Sequence, residues 1–161
     1  MAQSNTVTVG YWSTKGLGAV CRMVVLYSGC TLKAKNYKLQ PVLNENNLTY
    51  DGSEWHDKDK IELKKRNPLI NLPYIELNNS TGDVILISQS NACLSFLGRK
   101  FDMFGKNEFD VSKCEQLLLE TNDLRSVITS FAYTHFKDKD LENTAAKDVF
   151  IRAFQNNNAG K

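Results

Sequence analysis

From Thr6 to Trp12, Val7, Val9 and Tyr11 alternate with Thr6, Thr8 and Gly10, the period of two expected of a half-buried strand. A polar turn, Ser13-Thr14-Lys15-Gly16, follows, and Leu17, Val20, Cys21, Val24, Val25 and Tyr27 then recur at helical spacing up to Gly29, a residue type that often ends a helix. Leu32 to Leu39 carries a weaker strand pattern. Residues 40 to 54 read as a polar, Asn-rich loop, and a charged helix is expected from Trp55 to Arg66. Pro73 to Leu77 and Val84 to Ile87, separated by the turn-forming run Asn78 to Asp83, predict a hairpin, and Ser88 to Arg99 a further helix. Leu117, Leu118, Leu124, Val127, Ile128 and Phe131 mark a long helix from Val111 to Phe136, and Leu141 to Asn156 marks another.

The order βαβ, then helix, then ββα predicts a small mixed sheet with helices on its faces, the first strands parallel and the hairpin antiparallel. This is an α/β thioredoxin-like plan, assigned to residues 1–100, and a truncated all-α segment is assigned to 107–161.

Composition narrows the function without choosing it. The chain has 161 residues, 42% of them apolar and 24% charged, an ordinary globular balance. A net charge of +2 gives no one-signed field, so neither nucleic acid nor an anionic membrane is expected as a partner. The N-terminus lacks a basic segment followed by an apolar run, and no stretch approaches the roughly 18 apolar residues of a membrane span, so a cytoplasmic location is expected. Cys21, Cys30, Cys93 and Cys114 are widely spaced, without a C-x-x-C pair or a histidine cluster. That pattern argues against a disulfide framework, a dithiol redox centre and a metal site.

Four ordered motifs carry a resemblance. Gly10-Tyr11-Trp12-Ser13-Thr14-Lys15-Gly16-Leu17, with Arg22 beyond it, resembles the G-Y-W-x-x-R-G-L opening of mu-class glutathione transferases. Ser53-Glu54-Trp55 resembles their S-x-W element, Asn71-Leu72-Pro73-Tyr74 their N-L-P-Y turn, and Ser88-Gln89-Ser90-Asn91-Ala92 their Q-S-N-A helix start. The resemblance covers residues 5 to 102, and Glu120-Thr121-Asn122-Asp123 is similar to the start of the family's helical domain. Only two helices of that domain are expected here.

The resemblance implies glutathione as co-substrate, with no other cofactor. A thiol with a pKa of about 8.5 is only slightly ionised at neutral pH, so the task is to stabilise its anion. Tyr11 is the implied catalytic residue, donating a hydrogen bond to the sulfur near the positive end of the first helix. Ser13 is the rival activator, because other transferase classes use a serine just after this strand. Leu72 and Pro73, a candidate cis bond, offer a strand edge to the cysteinyl unit of the tripeptide, with Asn71 beside them. Gln89 and Ser90 open a helix whose free N–H groups suit the γ-glutamyl carboxylate, although Ser90 also fits a plain helix cap. Trp12 and Trp55 are implied either to wall the groove or simply to pack, Leu17 is an implied glutathione contact, and Lys58 and Lys60 compete for the glycine carboxylate. Gly52 stands where the family has an arginine, and Asp123 matches the acidic residue that reaches glutathione in the partner subunit.

Two functions follow as expectations. One is a glutathione transferase conjugating the thiolate to a small electrophile, as a homodimer or within a larger complex. The other is a non-catalytic module of the same fold, serving assembly, whose exposed apolar positions Leu124, Ile128 and Phe131 a partner covers.

Overall fold

A computed structural model describes residues 6–44, 47–79 and 81–135. It divides into two compact units, Met1–Lys106 and Asn107–Lys161. In the first, strand β1 (Thr6–Trp12) leads into helix α1 (Gly16–Tyr27) and strand β2 (Thr31–Tyr37). Strands β3 (Gln40–Asn44) and β4 (Asn47–Asp51) precede a π-helical segment, Glu54–Asp59, that runs on into the short helix α2 (Lys60–Lys64). Strands β5 (Tyr74–Asn78) and β6 (Val84–Ser88) and helix α3 (Ser90–Lys100) complete the unit. The second unit contains helix α4 (Glu108–His135), the long helix expected there, while the expected helix from Leu141 to Asn156 lies outside the described residues.

The main sheet has the order β2-β1-β5-β6. β1 and β2 are parallel and β5 and β6 antiparallel, as the element order predicts, and β5 also runs antiparallel to β1. Alternation along β1 assigns its faces. Val7 and Val9 join Ile75 and Leu77 of β5 under Cys21 and Val25 of α1 and Cys93 and Leu97 of α3, forming the main core. On the other face Tyr37, Trp55, Ile70 and Tyr74 form a second buried cluster, with Trp12, Leu63, Leu72 and Leu86 packed against it.

Helix α1 stops where the sequence indicates. Ser28 caps it, its N–H donating to Val24 O, and Gly29 takes the positive φ of 76° that glycine adopts without a side-chain clash. Gly10 is small for a different reason. It sits opposite Tyr74 in the β1–β5 ladder, and a Cβ there would fall inside the Tyr74 ring.

The expected loop from 40 to 54 is instead largely a second sheet, the antiparallel pair β3–β4, in which Pro41 faces Tyr50 and Val42 faces Thr49. Val42 and Tyr50 are β-forming residue types whose signal the surrounding asparagines obscure. Because this pair does not join the main sheet, it produces no long apolar run to betray it.

Candidate functional site

The strand register brings the predicted residues to one end of the main sheet. Tyr74 pairs with Gly10 on one side and with Ser88 on the other. Moving one residue further in the same direction reaches Tyr11 on β1, Pro73 ahead of β5 and Gln89 after β6. Helices α1 and α3 both begin at this end, because each follows directly on β1 and β6. Two helix N-termini therefore face the same edge, each with unpaired backbone N–H groups.

Tyr11 is held against α1. A Cβ on Gly18 would lie 2.5 Å from the Tyr11 Cβ, and a Cβ on Gly16 would lie 2.8 Å from the Tyr11 hydroxyl oxygen. The two glycines let the ring lie flush against the first turn of the helix. Among the described residues the hydroxyl makes no hydrogen bond, and no buried side-chain polar atom there lacks a partner. The hydroxyl therefore reaches the surface, free to donate. Leu17 is half-buried in the same first turn, and Ser13 is exposed in the preceding turn with its N–H donating to Tyr37 O at 2.7 Å.

The Leu72–Pro73 peptide bond is cis, as expected. Pro73 is buried and Leu72 half-buried. At the strand edge expected here the Leu72 N–H is already engaged, because the exposed Asn71 side chain accepts it through Oδ1 at 3.0 Å. A ligand carbonyl competing for that N–H displaces one exposed amide.

Gln89 takes φ 74°, ψ 120°, an unusual backbone for a residue with a side chain. It, rather than Ser90, occupies the cap position of α3, and no side chain caps the helix. Ser90 is the first helical residue and half-buried, so its hydroxyl is not consumed by capping. Ser88, just before, is pinned by its hydroxyl to Leu69 O at 2.9 Å.

Of the two roles open to Trp55, the structure shows packing: it is 1% exposed, stacked on Tyr74 at 6.0 Å and tilted against Tyr37 at 5.1 Å. Its indole N–H has no hydrogen bond among the described residues, so the little surface that it shows is at that nitrogen. The ring is in the core because Gly10 leaves space for Tyr74 and Tyr74 in turn presents a flat face. Trp12 remains half-buried at the surface, 5.7 Å from the His56 ring. Gly52 is buried beneath that pair, where a Cβ would approach both His56 and Trp12 to 3.1 Å. Lys58 is exposed and Lys60 half-buried. Asp123 is exposed on α4, in the second unit.

A polar network that no sequence motif announces lies behind the site. The Tyr37 hydroxyl lies 2.8 Å from Asp59 Oδ2 and 2.9 Å from the Tyr74 hydroxyl, and Lys35 Nζ is 3.0 Å from the same carboxylate oxygen. One hydroxyl has one proton, and the carboxylate is the stronger acceptor, so Tyr37 donates to Asp59 and Tyr74 donates to Tyr37. Burial, then the bonds to Tyr74 and Asp59, push the Tyr37 phenol far above its ordinary range. Partial burial opposes ionisation of Asp59, but the bonds from Tyr37 and Lys35 outweigh it and hold the carboxyl below its usual range. The residues are separated by 22 and 37 positions, so no local spacing announces them. Cys21 and Cys93, both fully buried, face each other between α1 and α3, and the bond to Cys21 together with burial holds the Cys93 thiol far above the ordinary thiol range. Neither is placed as a nucleophile.

No family model matches the chain. Among curated proteins, Glutathione S-transferase 2 of Gallus gallus is 32% identical over 129 residues, 80% of this chain and 52% of that protein. Glutathione S-transferase Mu 6 of Mus musculus is 31% identical over 129 residues, 80% of this chain and 53% of that protein. A Caenorhabditis elegans transferase structure superposes with a TM-score of 0.65 at 22% identity, covering 95% of this chain and 64% of that one. The sigma-class enzyme of Fasciola hepatica superposes at 0.60 and 18% identity, covering 98% of this chain and 63% of that one. The fold is thus that of the glutathione S-transferases, and the chain spans about half the length of the curated relatives it matches.

Proposed function

We propose that this chain is a mu-like glutathione transferase subunit that binds glutathione at the end of the β2-β1-β5-β6 sheet and ionises its thiol with Tyr11. The observation that carries the reading is the convergence of an unengaged Tyr11 hydroxyl, the Leu72–Pro73 edge and the Gln89–Ser90 helix start on one side of the sheet. On this reading the γ-glutamyl carboxylate lies at the start of α3, where the Ser90 hydroxyl and the free N–H groups receive it. The cysteinyl unit pairs with Leu72, which puts its sulfur toward Tyr11. The glycine end extends along the π-helical segment toward the Trp55 N–H and either Lys58 or Lys60.

Tyr11 then acts by differential stabilisation. A hydrogen bond to a thiolate contributes about 1.5 to 3 kcal/mol against about 0.5 to 1.5 for a neutral partner, and the difference of about 1 to 2.5 kcal/mol lowers the bound thiol pKa by roughly one to two units. The N-terminus of α1 adds to it. The resulting thiolate attacks a small electrophile, and conjugation needs no metal or further cofactor. By the same resemblance we infer a cytoplasmic dimer and assign residues 1–100 to glutathione and 107–161 to the beginning of a helical domain. Among the described residues no helix is long and apolar enough to cross a membrane.

Glutathione titrated into the protein from pH 5 to 9, with ultraviolet absorbance reporting thiolate, tests the reading. Thiolate below the free thiol's pKa, lost in Tyr11→Phe, is the expected result. Glutathione that binds but titrates like the free tripeptide would remove Tyr11 from catalysis.

A further inference from the structure

The two ends of the proposed glutathione site belong to different parts of the unit. Leu72 and Pro73 lead into the main sheet through Tyr74, whereas Trp55, Lys58 and Lys60 belong to the π-helical segment and α2. The π-helical segment is six residues long, and its N-cap, Ser53, contributes no side-chain bond. Wide π turns are seldom stable on their own account, so their placement depends on tertiary contacts. Here several of those contacts meet at one side chain. Tyr37 is fully buried, its ring touches Trp55 at 5.1 Å, and its hydroxyl joins Asp59 at the end of the segment to Tyr74 beside Pro73. Lys35, two residues earlier on β2, closes the arrangement from outside, 3.0 Å from Asp59 and 5.5 Å over the Tyr37 ring.

The geometry points to Tyr37 as a positioning residue that sets the distance between the cysteinyl edge at Leu72 and the cations that receive the glycine carboxylate. This rests on the glutathione reading given above and adds to it a device that measures ligand length. Lys58 and Lys60 flank Asp59 in sequence, so a rotation of the segment about its Trp55 anchor displaces both. Whichever lysine takes the carboxylate, loss of the Tyr37–Asp59 bond moves it. The γ-glutamyl and cysteinyl contacts, built on α3 and on the approach to β5, stay in place.

A structural role alone would weaken every ligand equally, whereas a spacing role penalises only a ligand that reaches both ends. Glutathione and γ-glutamylcysteine, the same molecule without glycine, provide the pair. Calorimetric Kd values for both are compared in the wild type, Tyr37→Phe and Asp59→Ala. The second variant breaks the same bond from its partly exposed end, leaving no core void, and decides the question should Tyr37→Phe fail to fold. The wild type is expected to prefer glutathione, and each variant to lose about five-fold of that preference, the equivalent of one hydrogen bond, with dipeptide binding changed less than two-fold. An unchanged preference in a folded variant, or equal weakening of both ligands, overturns the assignment. A wild type that binds both ligands equally overturns it too but leaves glutathione binding standing. A wild type that binds neither removes the underlying reading and the assignment together.

Discussion

The Tyr11 hydroxyl oxygen lies so close to Gly16 that a methyl group on that glycine would come within 2.8 Å of it, at a φ of 34°. The smallest residue at the start of α1 thus decides where the proposed thiol activator points. Gly16→Ala is expected to push the ring aside and raise the pKa of bound glutathione toward the value given by Tyr11→Phe, roughly one to two units higher than wild type. The thiolate absorbance titration reads both. An unshifted pKa in Gly16→Ala would mean that Tyr11 tolerates displacement and that its contact with the helix is incidental.

Gly10 and Gly29 separate two reasons for glycine. Gly10→Ala drives a methyl into the Tyr74 ring in the middle of the sheet, and a loss of about 3 kcal/mol is expected in denaturant unfolding. Gly29→Ala meets nothing within 4 Å, so only its positive φ is penalised, by about 1 kcal/mol. Similar losses at the two positions would contradict this packing of Tyr74.

Gln89 occupies backbone space that suits glycine. Gln89→Gly is expected to leave stability within about 1 kcal/mol of wild type, or above it, as relief at φ 74° offsets the added chain entropy. Glutathione affinity should nevertheless fall several-fold, because Gln89 is one of the proposed glutathione-binding residues and loses its whole side chain. Thermal unfolding and calorimetry together check it, and unchanged affinity takes Gln89 out of the site.

The Asp59 carboxyl is held below its ordinary range in the folded chain, so its contribution to stability is present above the unfolded pKa of about 3.9 and is lost as pH falls through the folded value. Lys35 is shifted the other way, chiefly by its bond to Asp59, so its share is present below about 10.4 and is lost as pH rises through the folded value. The stability gap between wild type and Asp59→Asn should therefore be widest between those limits and close in acid. Denaturant unfolding at several pH values measures the gap. Because both side chains are partly exposed, salt should narrow it.

The elements that the sequence made legible are those with a clean period. β1 alternates, α1 repeats at helical spacing and stops at Gly29, and the β5–β6 hairpin flanks an obvious turn. Tyr11, Leu72–Pro73 and Gln89–Ser90 were singled out through motif resemblance, and strand register explains why three distant motifs lie at one end of the sheet. β3–β4 was missed because its apolar residues are diluted by asparagine, and its strands are paired apart from the main sheet. The S-x-W resemblance left Trp55 either walling a groove or packing, and its burial is decided by Gly10 and Tyr74, which no local spacing announces. Tyr37 carried no signal, since its hydroxyl finds partners only after β2, β5 and the π-helical segment have assembled.

β1 and β5, the inner strands of the sheet, lead directly to Tyr11 and Pro73, whereas the glycine-end residues ride on a six-residue wide turn that follows a detached hairpin. Amides in inner strands under a packed core open only with the whole domain, while short peripheral elements open at far lower free energy. The proposed site is therefore divided in time as well as in space. Hydrogen exchange should find the thiol-activating half protected to the limit of global unfolding, while the half that grips the tail of the tripeptide breathes many times between such events.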